Sequence, residues 1–290
     1  MSRVERVKRL MMTPYGAPLR VTHRLVVRGQ LGIVAGADRV RARSDPERDD
    51  WLAQRLTVTA KTFLRPATAR RFVRTTRRAF TGRILLADDS PQPMAAPDER
   101  TTVLALPFNS GVAVGRNAAI AAVTTPYVMV TDDDVVMTAG TDLAGAVAFL
   151  EEHPDVDGIC ATLIELPRWY TWPYGDEREL FPGHLPPLRA YGDTVDGLPV
   201  VMKGPQVYVA RTERLRQVPY DERLRMVDHR DFFSSASGRL VFVSAPHLVA
   251  FHARTPFNAE YTSYREDVGK DLSYLGAKWS ATDGGATPID

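Results

Sequence analysis

Asp132, Asp133 and Asp134 close an apolar run, Tyr127-Val-Met-Val-Thr131. Carboxylates delivered together at the end of such a run can hold a hard divalent cation, and through it a phosphate-bearing ligand. Acidic runs are more often solvated loop, so the surrounding pattern has to carry that reading. A second pair, Asp88-Asp89, follows the apolar Ile84–Ala87. A third group, Asp228-His229-Arg230-Asp231, precedes Phe232-Phe233 and offers carboxylates and an imidazole for proton transfer. Between the second and first groups lie Asn109, Gly111, Gly115, Arg116 and Asn117, leading into an expected small-residue helix, Ala118–Val123. His252 ends an apolar stretch that starts at Leu240.

These groups need elements to position them. Leu56–Phe63 has strand character, with Thr and Val suited to a pleated surface. Arg65-Pro66 breaks it, and Thr68 is expected to cap a helix reaching Phe80. Ile84–Ala87, Thr102–Phe108, Tyr127–Thr131 and Gly158–Leu166 read as further strands. A helix capped by Thr141 or Asp142 is expected to end near His153-Pro154. Strands alternating with helices at these lengths indicate βαβ units and a parallel sheet, where ligands bind at the carboxyl ends of the strands. The second half is less regular. Arg168–Pro199 is rich in aromatic residues, Pro and Gly; Trp169, Tyr170, Trp172, Tyr174 and Tyr191 suit sugar stacking or a loop mini-core equally. Val200–Ala210 returns to strand character, and Leu240–His252 reads as two strand pieces around Pro246.

The chain's 290 residues can bury a sizeable core, and its ordinary composition argues against wholesale disorder. A net charge of +2 makes no general case for a nucleic-acid partner. Cys160 is the single cysteine, which excludes an intramolecular disulfide and a thiolate zinc cluster. With no signal-type or membrane-spanning apolar stretch, the expected location is cytoplasmic. The small net charge hides a basic start. Up to Arg43 there are ten Arg or Lys against Glu5 and Asp38, and Val4, Val7, Leu10 and Met11 fall at helical spacing. A solvated basic arm is the plainer reading, and a peripheral membrane contact through it is the alternative.

Taken in order, Lys61–Pro66, Asp88–Ser90, Asn109–Asn117 and Asp132–Asp134 resemble the nucleotide-sugar half of the GT-A glycosyltransferases. The inverting enzymes of family 2 and the related N-acetylgalactosaminyltransferases look closest. The resemblance runs from Leu56 to His252 and is most specific over Asn109–Asp134. It implies an α/β, Rossmann-like GT-A fold: a mixed, mostly parallel sheet flanked by helices. Residues 51–279 would form that domain, after a basic extension over 1–50 and before a tail over 280–290.

The resemblance also implies metal-dependent, inverting transfer of a sugar from a nucleotide-diphosphate donor, UDP favoured over GDP, to an acceptor hydroxyl. The acceptor class stays open among small molecules, glycans and lipid-linked sugars. Asp134 would ligate Mn²⁺ or Mg²⁺, with His252 at the third-ligand position. Asp132 would lie near the ribose, with Asp133 between. Asp88 would accept the uracil N3–H, Thr59 or Lys61 would border the base, and Arg116 would brace the nucleotide or diphosphate. The general base lies among Asp228, His229 and Asp231, with Asp228 preferred. This chain has Asp228 where the family commonly has Glu, and His229 where some relatives carry the catalytic Asp. The tail Arg254–Trp279 is expected either to close over bound donor or to pack permanently on the sheet.

Two other classes share single features. Asp132-x-Asp134-x-Val136 also fits aspartate-nucleophile phosphatases of the haloacid dehalogenase type, which place that motif near the domain start. Here three strands precede it. A non-catalytic nucleotide-sugar-binding domain would lack the paired metal and base candidates.

Overall fold

The structure, a computed structural model, describes residues 14–41, 45–172, 175–254, 258–264 and 268–280. Val4 to Met11, Arg43, Tyr174, Phe257, Arg265 and 281–290 lie outside the described residues.

Helix α1 spans Ala17–Arg41 and α2 spans Pro46–Arg55. Ser44–Asp50 reads as turn, yet Asp45 caps α2 by accepting from Arg48 N at 3.2 Å, and Pro46 stands at its first position. An Asp-Pro pair of this kind is a helix start, since the proline lacks only an N–H that would be orphaned anyway. Then follow β1 (Leu56–Thr62), α3 (Pro66–Thr76), β2 (Ile84–Asp88), β3 (Thr101–Ala105) and α4 (Val112–Ala121). The expected cap at Thr68 is displaced for the same reason: Pro66 starts α3, and Thr68 is buried inside it. That helix stops at Thr76, short of Phe80.

The chain continues through β4 (Tyr127–Asp132), β5 (Val135–Val136), α5 (Leu143–Glu152), β6 (Gly158–Glu165) and β7 (Tyr170–Thr171). Asp142, not Thr141, caps α5, accepting from Gly145 N at 2.9 Å. Short strands β8 (Thr194–Val195) and β9 (Leu198–Val201) precede β10 (Tyr208–Arg211), α6 (Thr212–Arg216), α7 (His229–Ala236) and β11 (Phe242–His252). Helices α8 (Ala259–Ser263) and α9 (Gly269–Ser280) follow. The single strand expected over Val200–Ala210 is thus two, parted by a segment that contains Gly204-Pro205. Conversely, β11 is one strand whose register against β6 shifts between Ala245 and Val249, around Pro246. A proline cannot donate to the ladder, so the strand slips past it instead of ending.

The sheet runs β3-β2-β1-β4-β10-β6-β11-β9-β8, with β5 on β11 and β7 on β6. Strands β3, β2, β1 and β4 are parallel neighbours, β10 is antiparallel to both β4 and β6, and β11 is parallel to β6. Every residue of β2 is buried, and β1 is buried except for Lys61. Strands covered on both faces need continuous apolar or Thr-rich sequence, which explains why simple alternation is missing there. The main core holds Phe72, Leu86, Met129, Tyr208, Phe232 and Phe233 between sheet and helices. Helix α1 packs on a smaller cluster with Val27 and Val34 against Val136, Leu166, Phe251 and Ala253. The basic segment is therefore, from Ala17 on, a helix seated on the domain.

Candidate functional site

Register brings the separated carboxylates to one level. Thr62 of β1 pairs with Asp88 of β2, and Lys61 pairs with Asp132 of β4. His252, at the end of β11, faces Glu165 of β6 on one side and Val135 of β5 on the other. Five strand ends, those of β1, β2, β4, β6 and β11, thus gather on the side of the sheet that carries Asp132–Asp134.

Asp133 is fully buried, accepting from Thr62 Oγ1 at 2.7 Å and pairing with Arg65. Arg65 also reaches Asp134 Oδ2 at 3.1 Å, and its guanidinium lies 4.1 Å from the Tyr261 ring centroid. It arrives there through Leu64, which turns the chain in the left-handed region at φ 53°. Such a conformation costs a non-glycine residue on the order of 1 kcal/mol and is kept where the surroundings enforce it. Here Leu64 N donates to Ser90 Oγ at 2.9 Å. The other oxygen of Asp134 stands 3.2 Å from His252 Nε2, and His252 Nδ1 stands 2.8 Å from Glu165 Oε1. Arg254 adds a 2.9 Å contact to Glu165. Burial works to lower the His252 pKa, but Asp134 and Glu165 outweigh it and push it up to about 10. Burial likewise works to raise Asp134, and His252, Arg65 and Arg71 hold it well below the usual carboxylate range.

Asp134 and His252 could hold a small divalent cation, which would displace the proton that joins them here. Two donors bound at right angles to one ion, with bonds of about 2.1 Å, stand about 3 Å apart. Asp134 Oδ1 and His252 Nε2 meet that spacing. Among the described residues no group of three or more His, Cys, Asp and Glu side chains forms a metal site. A cation completed by phosphate oxygens takes only one or two protein ligands, so two donors suffice.

Arg116, buried in α4, joins two of the sequence groups. Its Nη2 donates to Asp132 Oδ1 at 2.7 Å, and its Nη1 pairs with Asp228. Asp228 sits at the N-cap of α7, yet its side chain makes no capping hydrogen bond. Burial raises the Asp228 pKa against the pull of Arg116. Its neighbours are engaged differently. Asp231 accepts from Trp279 Nε1 at 2.8 Å and pairs with Lys278 Nζ at 2.7 Å. His229 Nε2 lies 2.6 Å from Gly204 O. Of the three candidate bases, Asp228 is the one brought to Asp132.

Burial lowers His229 to about 4, from an ordinary value near 6.5. A histidine whose pKa falls on folding stabilises the fold above the unfolded value, and that contribution is lost as pH drops through the window between the two. Stability should therefore decline between pH 6.5 and pH 4, by up to about 3 kcal/mol from this group. His229→Gln, which keeps a donor for Gly204 O, should flatten that decline in denaturant titrations at pH 7 and pH 4.5. Parallel losses in parent and variant would show that His229 does not titrate this way.

The residues expected on the donor side are tied into the loops. Asp88 accepts Ser90 N at 2.9 Å and Met94 N at 2.8 Å. Lys61 pairs with Asp89 at 2.7 Å, and Asp89 also accepts Gly111 N at 3.0 Å. Thr59 Oγ1 donates to Met129 O at 3.0 Å, turned onto β4. Gly111 has φ 104°, and a Cβ there would meet Arg225 Cα at 3.0 Å, so the loop passes where a side chain does not fit. Phe63, Phe108 and Tyr264 pack edge to face or tilted beside Lys61.

Helix α9 is packed. Leu275 and Trp279 are buried with Leu224, and Asp271 Oδ2 accepts from three consecutive amides, Arg225, Met226 and Val227, at 3.1, 2.8 and 3.1 Å. This part of the tail has the geometry of the permanent-packing alternative, and it clamps the segment that leads into Asp228. Asp271→Ala leaves three amides without their charged acceptor and should cost on the order of 3 kcal/mol. Amide exchange should quicken over 225–228 and 269–280 first. Unchanged exchange in both segments would remove the clamp from the account.

Residues 63–204 match the family model described as "Glycosyl transferase family 2". This chain carries a family 2 glycosyltransferase domain. Beta-1,4 N-acetylgalactosaminyltransferase 1 of Rattus norvegicus is 35% identical over 227 residues, which is 75% of this chain and 42% of that protein. Beta-1,4 N-acetylgalactosaminyltransferase 2 of Mus musculus is 30% identical over 245 residues, 79% of this chain and 47% of that protein. The chain thus spans less than half the length of the curated relatives it matches. Among solved structures, the mannosyltransferase PcManGT from Pyrobaculum calidifontis, in complex with GDP-Man and Mn²⁺, superposes with a TM-score of 0.50 at 16% identity. The superposition covers 91% of this chain and 77% of that one. GalNAc-T7 with UDP, GalNAc and Mn²⁺ gives a TM-score of 0.50 at 13% identity, over 78% of this chain and 51% of that one. The architecture is the GT-A fold.

The family 2 match contains Asp88, Arg116 and Asp132–Asp134, while Asp228 and His252 come from the chain beyond it. Arg65, Glu165 and Asp271 also line or support the site and escape the sequence reading. Arg65 had a signal: buried carboxylates need a nearby cation, and Leu64-Arg65-Pro66 ends the adjacent strand.

Proposed function

We propose that the protein is a metal-dependent, inverting glycosyltransferase that moves a sugar from a UDP-sugar to an acceptor hydroxyl. The observation that carries this is the Asp132–Arg116–Asp228 bridge, which ties a candidate proton acceptor to the carboxylate turn that also carries Asp134. Asp134 and His252 would hold Mn²⁺ or Mg²⁺, which when bound neutralises the diphosphate as it leaves. Asp132 and Asp88 end β4 and β2, on either side of β1, where the ribose and base of the nucleotide would sit, with Phe63 and Phe108 walling that edge. Asp228 would take the acceptor hydroxyl proton, and its raised pKa makes it a stronger base than an exposed aspartate. Arg116 holds both carboxylates in position and keeps their charges from repelling each other.

The relatives' names support N-acetylgalactosamine as the first sugar to test. The test is UDP release from UDP-N-acetylgalactosamine, with Mn²⁺ or with chelator, over a panel of sugar, glycan and lipid-linked acceptors. Acceptor-dependent release with Mn²⁺ supports the reading. Tight binding of UDP-sugar with no transfer to any acceptor would favour a binding domain instead. Phosphate release from simple phosphomonoesters would favour a phosphatase.

A further inference from the structure

Helix α1 uses one face to pack on the domain. Val27, Val34 and Asp38 are buried, Gln30 Nε2 donates to Pro167 O at 2.8 Å, and Asp38 accepts from Ala139 N and pairs with Arg78. The outward face is unlike that of a helix facing water. Leu19, Val26 and Ile33 recur every seven residues and so fall on one stripe, while Val21 and Leu25 lie roughly 140° and 100° further round the outward face. Their exposures are 51%, 45%, 69%, 52% and 62%. Gly29, Gly32 and Gly36 share that sector, and a Cβ at any of them would meet nothing within 4 Å. From Ala17 to Ala37 the chain has no Asp or Glu, and exposed Arg24 and Arg28 border the apolar sector. Surface helices of soluble domains ordinarily put charge on this side.

The apolar surface continues past the helix. A cavity of about 200 Å³ opens between α1 and the domain, lined by Ile33, Val34, Trp169 and Phe251, with Asp38 and Thr138 on its polar side. Trp169 is 46% exposed there, with its ring edge-on to Phe251. A tryptophan ring beside an apolar, arginine-rimmed helix is the arrangement that sits at a bilayer interface.

We propose that this face of α1, together with Trp169, docks the protein on an anionic phospholipid surface. Charge complementarity chooses the occupant. A second copy of the same face would oppose arginine to arginine with no carboxylate in the segment to relieve it, and nucleic acid would leave the leucine, valine and isoleucine stripe against water. Anionic headgroups match the arginines while the acyl boundary takes the stripe. The docked plane would run close to the strand ends, because Phe251 and Val136 touch the same cluster as α1 and neighbour His252 and Val135. The inference stands on this surface alone and does not depend on the reaction.

The test is co-sedimentation of the full chain with vesicles of phosphatidylcholine alone or mixed with phosphatidylglycerol, at low and high salt. Binding is expected to the mixed vesicles, weakening with salt as surface charges are screened. Leu25→Glu with Ile33→Glu, and separately Arg24→Glu with Arg28→Glu, should each weaken it by on the order of tenfold or more. All four positions are exposed, so UDP binding and circular dichroism should match the parent. Absence of binding to either vesicle, or equal binding by parent and both variants, overturns the proposal. So does a lipid-free dimer of the parent that Leu25→Glu with Ile33→Glu dissociates, since the face would then belong to a second copy.

Discussion

Asp134→Asn is expected to abolish metal-dependent UDP binding and turnover while the fold persists. Asp134 Oδ1 and His252 Nε2 have the spacing of two ligands on one small cation, and Asp134 supplies the anionic member of the pair. An amide oxygen keeps the shape and removes the charge. Arg65 keeps Asp133, and His252 keeps Glu165, so the surrounding cations retain partners. The loss of stability should stay near 1–3 kcal/mol, the cost of removing one charged hydrogen-bond partner. In the parent, UDP with Mn²⁺ at about a hundred times its dissociation constant contributes about 2.7 kcal/mol, or a Tm rise of roughly 5–10 °C for a domain of this size. Asp134→Asn should show no such rise at the same concentrations. A parent whose Tm responds equally to UDP with and without Mn²⁺ would remove Asp134 from this role, whatever its effect on activity.

What could be read from the chain, and what could not, divides along the range of the interactions. Alternating strands and helices are local in pattern, so β1, β2, β4 and β6 fall within a residue or two of expectation. The strand–carboxylate junctions at Asp88 and Asp132 are local too. Element starts went astray at Pro46 and Pro66, where the proline outweighed the polar residues near it, and at Val112, where α4 begins right after the turn at Gly111 instead of at Ala118. Glu165 and Asp271 were not legible, since each acts on residues brought close only by the sheet or by the return of α9, whereas Arg65 left a signal in the cation that buried carboxylates require. Glu165 meets His252 through register across 87 positions of chain. The choice within the Asp228–Asp231 cluster also needed tertiary contacts. In sequence, Asp228 is an ordinary helix start and Asp231 an equal carboxylate. In the fold, Trp279 and Lys278 occupy Asp231, and Asp228 turns from capping toward Arg116. The face of α1 was half legible: its charge could be counted, but which side packs could not.

Asp228→Asn is expected to lower kcat by on the order of 10²–10⁴, with the KM for donor nearly unchanged, as the loss of a general base would do. One complication is structural. Asp228 is one of two carboxylates on buried Arg116, so its neutralisation also loosens the brace on Asp132. Loss of positioning alone would show in donor affinity, because the proposed function puts Asp132 on the donor side. Loss of the base leaves donor binding intact and acts after it. The pH dependence separates the two further. Burial holds the parent Asp228 above the ordinary aspartate range, against Arg116, so kcat should fall on the acid side at a pH above that range. Activity needs the ionised carboxylate, so it is present above that pKa and lost as pH falls through it. In Asp228→Asn the residual rate should lose this acid limb, while Arg116→Gln, which removes the depressing charge, should move the limb to higher pH. Retention of the limb in Asp228→Asn, or full loss of activity in Asp231→Asn without loss of fold, would transfer the role to another group of the cluster.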